Sequence, residues 1–134
     1  MNTGSATLRK AERVYKRSDV KRLFEGNGKS FSIFPLRVVY MPAGSENEDS
    51  SARILISVPK RCFKRAAKRN RVKRQIRESY RLNKHLLSQS LKDSSKGVMI
   101  AFIWLDKELH TSEEVASKVK IALNRIAEKM NNRQ

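Results

Sequence analysis

A chain of 134 residues has the length of one domain with a modest core, and its 39% hydrophobic content sits a little below the usual globular share. Lys and Arg number 30 against 13 Asp and Glu, a formal net charge of +17 that directs attention to polyanions. The longest apolar run, Val98 to Leu105, falls far short of a bilayer span, and a single cysteine, Cys62, excludes an intrachain disulfide and a zinc set of the CxxC type.

The chain reads as one domain over residues 1–134, with a core from about 12 to 130 and short basic tails. Its N-terminus lacks the apolar stretch of a signal peptide, so the expected location is cytoplasmic, away from any membrane. Ser18 can cap a helix from about 18 to 25 that carries Val20, Leu23 and Phe24 on one side, with Gly26 and Gly28 as stops. Two segments follow, FSIFPLRVVYMP and ARILISVP, rich in β-branched and aromatic residues, and both read as strands. Pro35 cannot donate a ladder hydrogen bond, so it should mark a strand start or an edge and split a short strand around Phe31 from the longer one. Between the two segments, the polar, acidic stretch AGSENEDSS reads as a surface hairpin loop.

Residues 60–84 hold twelve Lys or Arg against one acid, Glu78. Wound as a helix over about 65–87, this segment gathers Val72, Ile76, Tyr80 and Leu87 within an arc of about 80°. Lys73, Lys84, Arg77, Asn70, Arg81 and Arg74 fill an adjoining arc. Asn70, Arg74, Arg77 and Arg81 thereby form a rail of donors whose like charges repel unless a polyanion neutralises them. An ordinary solvated face mixes signs, and this one does not. SQSLKDSSKG reads as a loop into VMIAFIWL, an apolar run short enough to be a strand buried on both faces. Thr111 and Glu114 have capping-box spacing, and beyond them Val115, Val119, Ala122, Leu123, Ile126 and Met130 repeat with helical period. The elements run helix, two or three strands, helix, strand, helix, which makes an α+β sandwich with helices on one sheet.

Catalytic chemistry is hard to find in these residues. Phosphodiester hydrolysis calls for converging carboxylates that hold metal ions, or for a His pair. Glu46, Glu48 and Asp49 sit in the expected loop, Asp19, Glu113 and Glu114 at helix starts, and His85 and His110 at a helix end and in a loop. Cys62 reads as a small packing residue. The residues alone describe a binding module, with no catalytic or metal-ligating set; a basic leucine zipper fails because apolar heptads stop at Leu87.

The run RNRVKRQIRES at 69–79, preceded by ISVPKR at 56–61, closely resembles the protein subunit of bacterial ribonuclease P. The pattern RNRxKRxxRE fixes the residue at seven of ten positions, and the order of elements agrees from about Glu12 to Met130. The resemblance implies an α+β two-layer sandwich with the order helix, three strands, helix, strand, helix. Its crossover around the basic helix would be left-handed, against the usual preference; the second domain of a small-subunit ribosomal protein has this architecture. The resemblance further implies an accessory subunit of an endoribonuclease. A large RNA would supply the catalytic centre and bind most of the magnesium, and the protein would bind that RNA and the 5′ leader of precursor tRNA. No protein partner is implied. Lys60, Arg61, Lys68, Arg69, Asn70, Arg71, Lys73, Arg74, Arg77 and Arg81 would be the RNA-binding residues. A cleft between the sheet and the first helix would hold the leader, with Phe24, and Phe31 or Tyr40, as aromatic platforms. Val20 stands where the family often has Phe and offers no ring for a base, so packing is expected there. The alternative from another class is a structural RNA-binding protein, such as a small ribosomal protein.

Overall fold

The computed structural model describes residues 17–25, 28–42, 52–94 and 97–131. In chain order the elements are α1 (Arg17–Phe24), β1 (Lys29–Ile33), β2 (Leu36–Pro42), β3 (Ala52–Ser57), α2 (Ala66–Asn83), α3 (His85–Ser94), β4 (Val98–Trp104) and α4 (Ser112–Asn131). The expected α+β order is present, with one helix more than the sequence suggested. Ser18 lies inside α1 rather than at its cap; its side chain, Gly26, and AGSENEDSS with Glu46, Glu48 and Asp49 lie outside the described residues.

The sheet order is β1-β2-β4-β3. β1 and β2 form an antiparallel hairpin whose turn is Phe34–Pro35, so Pro35 does divide the two strands. Its carbonyl accepts a 2.8 Å hydrogen bond from the Leu105 amide, tying the turn to the end of β4. β4 pairs antiparallel with β2 and parallel with β3. The expected hairpin between β2 and β3 is therefore corrected. VMIAFIW is apolar on both sides and takes the interior position between them, where both faces are covered.

Strand alternation divides the core in two. Leu36, Val38 and Tyr40 of β2 with Val98, Ile100, Phe102 and Trp104 of β4 pack against Val72, Ile76 and Tyr80 of α2, Leu87 of α3 and Val119, Leu123 and Ile126 of α4. On the opposite face Val39, Met41, Met99 and Ala101 pack with Leu23 of α1, and Val20 packs against this smaller cluster. Gly28 permits the close approach of α1 to the sheet. A Cβ there would lie 2.6 Å from the Leu23 carbonyl oxygen and 2.9 Å from Val39 Cγ1, too near for any side chain.

The long basic helix expected to reach residue 87 ends at Asn83, and much of the expected loop SQSLKDSSKG is α3. Asn83 Nδ2 donates to the Ser79 carbonyl at 2.8 Å, and the Leu87 amide closes a tight turn on the Lys84 carbonyl at 3.0 Å. This bend rotates the chain so that Leu87, Ser90 and Leu91 bury against α4, where Ser90 Oγ donates to the Ala127 carbonyl. The α4 capping box forms as its spacing predicts: the Glu114 amide donates to Thr111 Oγ1 at 3.1 Å and the Thr111 amide to Glu114 Oε1 at 3.0 Å. No described helix is long and apolar enough to cross a membrane.

Candidate nucleic-acid interface

α2 is held by one side and offers the other. Val72, Ile76 and Tyr80 are buried, as their shared arc requires, and Gln75 and Ser79 are buried beside them. Asn70, Arg71 and Arg74 are exposed, while Lys73, Arg77 and Arg81 are half-buried along the rail. The helix has no acidic residue in its first turn, so the positive end of its dipole adds to the side-chain charge. Glu78 interrupts the rail near its far end, where Arg81 Nε donates to its carboxylate at 3.3 Å and Nη2 makes a closer contact. That hydrogen bond holds the Glu78 carboxyl below its ordinary range. The phosphate-seeking charge is consequently strongest in the N-terminal half of α2.

The turn from β3 into α2 carries Lys60 and Arg61 exposed, with Lys68 exposed farther along, in the first turn of the helix. Val58, Cys62 and Phe63 pin the turn from beneath. The Cys62 amide donates to the Pro59 carbonyl at 3.0 Å, and its thiol lies 3.6 Å from the Trp104 carbonyl, so this buried cysteine is the packing residue expected. Arg69 differs from its neighbours in having structural work. One guanidinium nitrogen, Nη1, donates to the carbonyls of Phe63 and Lys64 at 2.8 and 2.7 Å, fastening the approach to the helix.

The three aromatic residues expected in one cleft do not share a face. Phe24, at the end of α1, is 43% exposed. Tyr40 is buried on the other side of the sheet, its ring 5.9 Å from Phe31 in an edge-on pair, and the Arg125 guanidinium of α4 covers Phe31 at 5.1 Å from the ring centroid. Strand parity is the reason. Phe31 and Tyr40 point toward α2 and α4, whereas α1 covers the side bearing Val39 and Met41, so neither can join Phe24 in a platform.

Sequence reasoning missed a second concavity. Ala67, Asn70, Arg71, Arg74 and Gln75 of α2 and Ser112 of α4 line a cavity of about 600 Å³. Gln75 Nε2 donates to the His110 carbonyl at 3.0 Å and to Ser112 Oγ at 3.1 Å. His110 is in turn held by Asp106, 2.7 Å away, and its ring packs edge-on to Trp104 and Phe34. The legible signal was Gln75 itself, a polar residue between Val72 and Ile76 on the buried side of the helix. Among the described residues, no group of three or more His, Cys, Asp or Glu is arranged to hold a metal ion.

Fold and site together define a basic α+β domain of the nucleic-acid-binding class. The ribonuclease P family model matches residues 8–127. The ribonuclease P protein component of Porphyromonas gingivalis is 46% identical over 120 residues, covering 90% of this chain and 86% of that one. That of Chlorobaculum tepidum is 36% identical over 102 residues, 72% of this chain and 66% of the relative. Among solved structures, the ribonuclease P protein of Thermotoga maritima superposes with a TM-score of 0.67 at 29% identity, covering 85% of this chain and 96% of that one. The Staphylococcus aureus protein gives 0.68 at 24% identity, covering 87% and 96%, and shows the shared fold. The chain belongs to the ribonuclease P protein family.

Proposed function

We propose that this chain is the protein component of ribonuclease P, acting in the removal of the 5′ leader from precursor tRNA as the RNA-binding subunit of an RNA-cleaving ribonucleoprotein. The observation that carries the reading is the α2 rail, built from RNRVKRQIRES, with its apolar side locked in the core and its cationic side open. In this reading Lys60, Arg61, Lys68, Asn70, Arg71, Lys73, Arg74 and Arg77 meet the phosphates of the catalytic RNA or the precursor. Arg69 contributes chiefly by shaping the turn, and Arg81 works with its charge partly offset by Glu78. Phe24 is the aromatic residue left to meet the leader on the α1 side. Magnesium belongs to the RNA subunit, and the setting is the cytoplasm, where precursor tRNA is processed.

The test is cleavage of precursor tRNA by ribonuclease P RNA, by the protein, and by both together. At limiting magnesium the mixture should outpace the RNA alone, because cationic side chains reduce phosphate repulsion between catalyst and substrate. The protein alone, free of RNA and of contaminating nuclease, should leave the precursor intact. A mixture no faster than the RNA alone would favour a purely structural RNA-binding role.

A further inference from the structure

The cavity between α2 and α4 has the parts of a nucleotide site. Arg71 and Arg74 supply cationic donors and Asn70 an amide. Ser112 opens α4 one residue after the Thr111 cap, and its exposed hydroxyl accepts a hydrogen bond from Gln75 Nε2. A hydroxyl engaged as an acceptor still has its own proton to donate, and the Gln75 bond fixes the direction from which it does so.

Gln75 is only 8% exposed, and its Oε1 is buried with no hydrogen-bond partner. An unpaired buried acceptor is costly, and an aliphatic side chain would fill this place without that cost. Such a group is accounted for if the amide is there to orient Ser112. The second Gln75 bond reaches the carbonyl of His110, whose ring stands 6.5 Å from that of Phe34. Phe34 sits at the β1–β2 turn and is 59% exposed. One residue thus connects a basic pocket to an open aromatic ring, the pairing by which single strands are held.

We propose that this pocket binds one unpaired nucleotide of the catalytic RNA, with the phosphate met by Arg71, Arg74, Asn70 and the Ser112 hydroxyl and the base stacked on Phe34. Gln75 is a positioning residue for Ser112. The catalytic RNA is favoured over the leader because α1 and Phe24 lie across the sheet from α2 and α4. This inference rests on the reading of α2 as the RNA-docking helix and extends the docking surface to α4 and the β1–β2 turn.

The experiment measures binding of three probes to the full chain: a 5′-phosphorylated hexauridine RNA, the ribonuclease P RNA, and leader-bearing precursor tRNA. The variants are Phe34→Leu, Ser112→Ala and, as a control far along α4, Lys129→Ala. Phe34 and Ser112 are both exposed and Thr111 keeps the cap, so melting temperatures should hold. Phe34→Leu should weaken the hexauridine and the ribonuclease P RNA about fivefold or more, the lower end expected when base stacking is removed, and Ser112→Ala should weaken both measurably. Losses no greater than those of Lys129→Ala would overturn the site, even if the cleavage assay had succeeded. Losses confined to precursor tRNA would overturn its assignment to the catalytic RNA.

Discussion

Phe24 and Asp106 show how much a single residue's surroundings decide. Phe24 is 43% exposed, while Leu23 beside it is buried against the sheet, so adjacent residues divide between the open surface and the core. Phe24→Leu should therefore leave the melting temperature nearly unchanged. It should weaken leader-bearing substrates by about 1 to 3 kcal/mol, the range for base stacking on an aromatic ring, and spare mature tRNA. Comparing the two tRNAs by equilibrium binding checks this, and equal losses for both would remove Phe24 from the leader path. Asp106 is held below the usual carboxylate range first by its hydrogen bond with His110 and then by backbone amides of Glu108 and Lys107. A depressed carboxylate contributes stability above its unfolded pKa and loses it as pH falls through the folded value. Asp106→Asn should accordingly lower the melting temperature at neutral pH and shrink the further decline between about pH 5 and pH 3. Thermal melts across that range read the difference, and parallel curves for both proteins would contradict it.

At the scale of elements, α2 is a charged rod steadied by its neighbours. Its apolar side meets β4 and α4, Arg69 ties its start to the incoming turn, and the bend at Lys84 frees α3 to pack separately. Arg74 and Arg77 lie off the packed side, so replacing either by Ala should leave folding intact. Each change should weaken RNA binding and lower the slope of log affinity against log salt by about one for each phosphate left without its cation. A salt titration of ribonuclease P RNA binding measures both quantities. Unaltered affinity and slope in both variants would make the rail an ordinary solvated face.

Across the whole molecule, the sheet separates two candidate RNA-facing regions. α1 and Phe24 lie on one side, and α2 and α4 with their shared cavity lie on the other, so with the proposed assignments substrate leader and catalytic RNA would not compete for one surface. With a formal net charge of +17, the chain attracts RNA before any specific pairing forms. In the proposed reading its positioned side chains add register: a polyanion drawn in by charge would settle where Arg71, Arg74 and Ser112 open together and where Phe24 stands clear.

The sequence by itself determined the strands and every helix but α3, because local periodicity reports which side of an element is buried. Val72, Ile76 and Tyr80 marked the packed side of α2, Val115 to Ile126 that of α4, and RNRVKRQIRES the family. It also marked β4 as doubly covered, since VMIAFIW has no polar alternation. Only the tertiary structure decided what depends on residues distant in the chain. That β4 enters between β2 and β3 is a matter of pairing, to which the short-range pattern of either strand is indifferent. The side of the sheet chosen by α1 removed Phe31 and Tyr40 from the cleft, although their aromatic character was plain. The meeting of Gln75 with Ser112, 37 residues apart, and the exposure of Phe34 beside His110 likewise follow from how the ends of β1, β4 and α4 converge, a geometry created by packing rather than by local propensity.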